Sequence, residues 1–289
     1  MREFWLNQEH ARHQGSGTPE SSNRLSLINP ANCIIKKGNV SQYSSYFSLA
    51  HDKVYLQKLE EEAIQEHEAM CNAGSWQAMA SGTALCLEAA DSLIKDGKKT
   101  FILTRPPGHH AHTDWTHGFC FINNAALTAL YLHERHNKKV AVLDFDLHNG
   151  DGTEDILNKK ESNRLLFIST YQADIFPGPR YNLQVEGMRG DTYHLPLHGT
   201  MVDFDFIKII SKIKDRLRQF SPEVLVVSAG FDMNRHESAS GLMPSSMQLT
   251  RRSYEKLNGL CGEYPSLAIL EGGYSPKSIK EGLEAFSLR

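Results

Sequence analysis

The chain has 289 residues, 40% hydrophobic and 22% charged, which is enough apolar content for one large α/β domain or two small ones. Its 31 Lys and Arg against 34 Asp and Glu leave a formal charge of -3, so no basic stripe points to direct nucleic-acid binding. No run approaches the roughly 18 apolar residues of a membrane span, and the polar start MREFWLNQEHARHQ lacks the apolar core of a secretory signal, so a cytoplasmic location is expected.

Residues 1–50 are rich in Ser, Asn and Gly and read as loops around short elements. From Ser75 to about Lys95 the apolar residues recur at helical spacing and stop before Gly97. An alternation follows. TFILT is a strand, NNAALTALYLHERH a helix, KVAVLDFD a strand, GTEDILNKK a helix and RLLFIST a strand. After a Gly- and Pro-rich loop through Gly190, TYHLPL is a short strand and DFDFIKIISKIKDRLRQF a long helix. EVLVVSAG, TRRSYEKLNGLC, SLAILEGG and PKSIKEGLEAF then alternate strand and helix to the end. The pattern predicts an α/β fold with a central, mostly parallel sheet covered on both faces. The five cysteines, Cys33, Cys71, Cys86, Cys120 and Cys261, are scattered without a CxxC pair and read as free thiols in a reducing compartment.

Ligands of such sheets bind beyond the carboxyl ends of the strands. Polar clusters sit at four of those ends: RPPGHH, DFDLHNGDG, GFD and EGGY. At the second, Asp144, Asp146 and His148 alternate along an extended chain, so they share a face while Phe145 and Leu147 take the other. Asp146, His148 and Asp232 form a two-carboxylate, one-imidazole set suited to zinc or another first-row divalent ion with open positions. The tandem His109 and His110 follow a stiff Pro-Pro-Gly turn, with Asp144 and Asp151 available to orient them. Two His–Asp dyads beside a metal can remove one proton and deliver another. Tyr274, past a Gly-Gly turn, can donate to a carbonyl oxygen as charge develops on it.

RPPGHHA, GFCFINNAA, DFDLHNGDGTEDI, SAGFD and EGGY stand in the order and at spacings of the histone deacetylase and acetylpolyamine amidohydrolase superfamily, which the chain resembles from about Thr18 onward. The resemblance implies the three-layer arginase-deacetylase fold and one class II-like, histone deacetylase-like catalytic domain over residues 1–289. It implies Asp146, His148 and Asp232 as zinc ligands, with iron(II) as the alternative metal. It also implies His109 and His110 as the catalytic pair and Asp144 and Asp151 as their orienting carboxylates. Tyr274 would polarise the carbonyl, Gly118 would lie near the substrate amide, and Phe119 and Phe176 would wall a narrow acyl-lysine tunnel. Arg24 would border an internal channel beneath the metal. Main-chain carbonyls around Asp144, Asp146, His148 and Ser169 would hold a structural potassium ion.

The function so implied is removal of acetyl from N-acetyl-lysine side chains of proteins, or from a related acetylated amine. An acetylpolyamine deacetylase is the alternative, and an acetyl-lysine-binding pseudoenzyme a further one; an arginase-like site would need more bridging carboxylates than the lone Asp232 supplies. The expected partner is an acetylated protein, peptide or polyamine. Three positions depart from the family. Tyr171 stands where relatives carry a histidine, and Asn149 replaces another. Ala239 falls where polyamine-selective relatives place a gatekeeping glutamate, with Glu237 nearby.

Overall fold

Strand-forming and helix-forming stretches alternate through the later two-thirds of the chain, and they fold as helices on both faces of one sheet. The structure is a computed structural model describing residues 2–287 apart from 16, 67 and 241–244; of Glu66, Ala239 and Ser240 only the backbone is described. Nine strands run in the order Ile34–Lys36, Glu3–Asn7, Thr100–Leu103, Ser266–Leu270, Val224–Ala229, Val140–Asp144, Leu165–Gln172, Thr192–Leu197 and Gly187–Arg189. All neighbours pair parallel except the last two, which form an antiparallel edge.

The central strands are apolar at both parities because both faces are covered. Val140 and Val142 join Ile102, Val226 and Ile269 in one core, under the helices Ser75–Asp96 and Asn124–His136. Ala141 and Leu143 join Phe101, Val227 and Leu270 in a second core, under Asp203–Phe220, Arg251–Gly262 and Pro276–Ser287. Three layers result. The first of these helices stops where Gly97, at φ 67°, returns its N–H to Leu93. The second starts at Asn123, whose side chain accepts from the N–H of Ala126 at 2.9 Å.

Two elements differ from expectation. Within the loop-rich first 50 residues, Glu3–Asn7 is a sheet strand paired with Thr100–Leu103, and its Trp5 and Leu6 enter opposite cores. Five residues with polar ends are too short to display a period; distant partners create the strand. Conversely, the strand expected to run to Asp146 ends at Asp144. There the Asp144 carboxylate accepts from Asp146 N at 2.9 Å, and Phe145 N turns to the Ser228 carbonyl at 3.2 Å. All five cysteines are free, and among the described residues no helix is long and apolar enough to cross a membrane.

Candidate active site

Thr100–Leu103, Ser266–Leu270, Val224–Ala229 and Val140–Asp144 are consecutive in the sheet and point the same way, so their four polar ends meet at one edge. Asp146, His148 and Asp232 come together there, fully or almost fully buried. His148 Nδ1 lies 3.2 Å from Asp146 Oδ1 and 3.3 Å from Asp232 Oδ2. Two ligands held ~2.0–2.1 Å from one tetrahedral ion stand about 3.3 Å apart, so the spacing fits a small divalent cation. Asp232 Oδ1 accepts from Leu147 N at 2.9 Å, while its buried Oδ2 accepts no hydrogen bond. A side chain on Gly230 or Gly272 would collide with Asp146 Oδ2, so both glycines keep this cradle open. Burial, then the charge of Asp146, pushes the Asp232 carboxyl up to about 7. Burial would lower His148, yet Asp146 and Asp232 raise it to about 9. An orphaned carboxylate oxygen among mutually perturbed groups is what a missing positive charge leaves behind.

Next to this set stand the two imidazoles of the HH pair, ring centres 4.0 Å apart. His109 Nδ1 meets Asp144 Oδ2 at 3.0 Å, and His110 Nδ1 meets Asp151 Oδ1 at 2.6 Å. Each carboxylate fixes its ring and leaves Nε2 for chemistry. Burial and the neighbouring His109 hold His110 down to about 3, so it stays neutral. His109 moves the opposite way: burial opposes the shift, but Asp146 and Asp144 raise it well above the ordinary histidine value. Cation binding at Asp146 would remove part of that pull.

Tyr274 follows Gly273, whose φ of 100° turns the chain into the site. Its ring packs edge-on to Phe119 at 5.6 Å, and the Arg24 guanidinium lies 4.9 Å from the ring centre. Burial pushes the phenol well above its usual value, so it remains a donor. Gly118 and Phe119 are both left-handed, at φ 57° and 64°, and a side chain on Gly118 would strike His110 and Phe176. A phenylalanine in that conformation is strained, a recurrent mark of functional positions. His110, Gly118, Phe119, His148, Phe176, Tyr274 and Glu68 line a cavity of about 140 Å³. A larger cavity of about 210 Å³, by Phe4, Leu27 and Leu283, contains none of this chemistry and is no rival for substrate.

The sequence reading missed several residues. Glu271 Oε2 accepts from Gly108 N at 2.7 Å and His109 N at 3.2 Å, holding the backbone of the imidazole pair. It lies inside the EGGY motif, yet only the fold shows where its carboxylate points. Asp151 also receives His112 Nε2 at 3.0 Å and His117 Nε2 at 2.8 Å, so three imidazoles share one carboxylate. Glu237, close in sequence to the register occupied by Ala239, is buried and accepts from Tyr274 N at 2.7 Å and Ser275 N at 2.8 Å. It anchors the loop that carries the tyrosine. The side chain of Ala239 lies outside the described residues. Tyr171 bonds His194 Nδ1 at 3.0 Å and Leu183, and does not line the cavity; Asn149 accepts from Ser169 Oγ at 2.8 Å.

Arg24 donates to the carbonyls of Gly273 (2.6 Å) and Glu271, and to Glu20 Oε1 at 3.0 Å. Arg105 takes both oxygens of Glu20 at 2.7 Å, so one buried carboxylate serves two buried cations. Burial pushes Glu20 up, but Arg105 and then Arg24 pull it below the ordinary glutamate value of 4.5. Its ionised form therefore stabilises the fold fully above pH 4.5, and that contribution is lost as pH falls through the lower folded-state value. Glu20→Gln should cost about 3–5 kcal/mol at neutral pH by leaving the arginines uncompensated. It should also flatten the acid-side fall of the thermal midpoint. Equal midpoints for variant and parent at pH ~7 would contradict the assignment.

Residues 20–288 match the histone deacetylase domain family. Acetylpolyamine amidohydrolase 1 of Pseudomonas aeruginosa is 32% identical over 73% of this chain and 61% of its own length. Histone deacetylase 15 of Arabidopsis thaliana is 32% identical over 75% of this chain and 40% of its own. The matched region thus spans less than two-thirds of either relative. The crystal structure of the HDA15 HD domain superposes with a TM-score of 0.84 at 24% identity, covering 98% of this chain and 89% of that one.

Proposed function

The chain belongs to the histone deacetylase domain family, and on that premise we propose that it is a metal-dependent amidohydrolase releasing acetate from N-acetylated primary amines, with residues 1–289 as one catalytic domain. The acetylated lysine side chain of a protein or peptide is one substrate class and a small acetylated amine the other; named relatives include both an acetylpolyamine amidohydrolase and a histone deacetylase. The observation that carries the reading is the convergence of two His–carboxylate dyads, a phenol and a cation-sized set of three donors on one narrow cavity.

Asp146, His148 and Asp232 would hold the ion, zinc first and iron(II) second, because two carboxylate oxygens and one imidazole suit either. A divalent cation there would polarise the acetyl carbonyl and acidify the attacking water. His110, kept neutral, takes that water's proton at Nε2, and the imidazole pair returns a proton to the departing nitrogen. An amine leaves poorly without it. Tyr274 donates to the carbonyl oxygen as negative charge grows. Phe119 and Phe176 flank the alkyl chain, and Gly118 lets the backbone approach the amide. We also assign a structural potassium to main-chain carbonyls around Asp144, Asp146, His148 and Ser169; Asp144 and Ser169 are register partners.

The deciding assay supplies one equivalent of zinc, then an acetyl-lysine peptide, acetylputrescine or acetylspermidine, and follows acetate. Acetate should appear in step with free amine, cease on chelation and return with metal. Stoichiometrically loaded protein that releases acetate from none of the three is a binder, and the hydrolase reading fails.

A further inference from the structure

Asp151 serves three imidazoles, and the proposed chemistry uses one of them. His110 Nδ1 lies 2.6 Å from its Oδ1, and His117 Nε2 lies 2.8 Å from its Oδ2. The donor atoms of these three side chains lie within 4.8 Å of one another, as do those of Asp146, His148 and Asp232. Asp151 and His110 are buried, and the side chain of His117 is 17% exposed. His112 completes the surroundings: its Nε2 meets Asp151 Oδ2 at 3.0 Å, its Nδ1 lies 3.4 Å from Asp155, and its ring stacks on Trp115. A carboxylate steadied from outside in this way is held as metal-ligating carboxylates are.

Two ring nitrogens and one carboxylate oxygen suit zinc or another first-row divalent ion, with a fourth position left for water. The separations of 2.6 and 2.8 Å are those of hydrogen bonds, shorter than the ~3.3 Å between two ligands of one tetrahedral ion. An entering ion must displace the shared protons and move each ring back by about half an ångström. His117, partly exposed and packed on Phe176 at 4.8 Å, has room to give that much. Access is separate from the substrate cavity. Asp151 also lines a cavity of about 420 Å³ with Glu154, Asp155, Arg180, Tyr181 and Arg189, none of which borders the other one. In its walls Arg189 is paired with Glu154 and Lys159 with Asp155, which leaves Asp151 and Glu161 against Arg180. A cation can thus approach Asp151 from behind while substrate occupies the front.

We propose that His110, His117 and Asp151 form a second, weaker divalent-cation site, and that zinc bound there switches off the proton acceptor. The switch is tautomeric. Without an ion, His110 donates Nδ1–H to Asp151 and keeps Nε2 free to take a proton. An ion on Nδ1 sends the ring proton to Nε2, which can then only donate. Each ring keeps one proton, so the step balances without an acid or base from outside. With one carboxylate where the first site has two, the second should bind zinc less tightly, with Kd on the order of 0.1 mM. The site itself stands without any reading of the reaction; its effect on rate rests on the amidohydrolase reading above.

The test counts zinc and follows rate separately. In equilibrium dialysis at about 1 mM zinc, His117→Gln should hold one equivalent fewer than the parent, although glutamine keeps an N–H for Asp151. Asp232→Asn should also hold one fewer, and the double variant two fewer. Equal zinc in His117→Gln and parent overturns the proposal. A reading without variants comes from the parent loaded with one zinc. Copper(II) added next, at one equivalent, should show electron paramagnetic couplings to two imidazole nitrogens, and couplings to fewer contradict the ligand set. With an acetyl-lysine peptide or acetylputrescine, excess zinc should lower the parent's kcat by about 10²-fold and leave KM within about twofold. The rate of His117→Gln, whatever its level, should not respond to the excess; an equal response overturns the proposal. If the second equivalent depends on His117 although neither amide is hydrolysed, the site stands and the hydrolase reading fails. If hydrolysis proceeds and excess zinc neither binds through His117 nor slows it, the reverse holds.

Discussion

Tyr274→Phe should lower kcat by about 10²–10³-fold, equivalent to roughly 3–4 kcal/mol, the usual loss for one donor to a developing oxyanion. The substitution removes only the hydroxyl. The edge-on contact with Phe119 and the Arg24 cation over the ring both survive, and Glu237 still holds the backbone N–H. Metal content and thermal midpoint should therefore match the parent. Because burial keeps the phenol protonated far above its ordinary range, the rate ratio should stay level from about pH 6 to about pH 9. A kcat within about twofold of the parent would remove Tyr274 from the oxyanion role.

Asp232→Asn should have the other large effect, by a different route. The side-chain oxygen facing Leu147 N can keep its 2.9 Å hydrogen bond, so the loop after Val224–Ala229 has no reason to move. What disappears is the charge at the oxygen that accepts no hydrogen bond. Bound zinc should fall below one equivalent at micromolar free metal, and activity should fall with it by two orders of magnitude or more, about 3 kcal/mol. Metal analysis and the thermal shift on adding zinc would both register the change, independently of turnover. A variant that retained one tightly held zinc would place the cation elsewhere.

Much of this architecture was visible in the primary structure because its signals are local. Strands buried on both faces, such as Val140–Asp144, are short continuous apolar runs, and four of them end in the polar clusters of the candidate site. Asp146 and His148 are two residues apart, and the imidazole pair is tandem, so their association needs little tertiary information. Asp232 was accessible for another reason: its strand lies beside Val140–Asp144 in a parallel sheet, and parallel neighbours deliver their ends to one edge. Glu271 was not singled out because a glutamate beyond a strand end carries no periodic signal, and its contacts with the Gly108 and His109 N–H groups lie more than 100 residues away. What Glu237, on the short helix Arg235–Ser240, does at Tyr274 is likewise fixed by the fold. Glu3–Asn7 was hidden similarly, by partners about a hundred residues away. For Tyr171, a departure from the family pattern, the fold supplies the partners that the sequence does not: its hydroxyl meets His194 Nδ1 and Leu183 N, away from the cavity lining.

The sharing of Asp151 among His110, His112 and His117 ties His110, the proton acceptor of the proposed mechanism, to residues nearer the surface. Trp115 stacks on His112 at 4.0 Å and is partly exposed, and His117 packs against Phe176 at 4.8 Å. A compound that wedges beside Trp115 would pull on the same carboxylate that positions His110. On the proposed mechanism, compounds reaching only the vestibule should slow acetate release while leaving the cavity floor untouched.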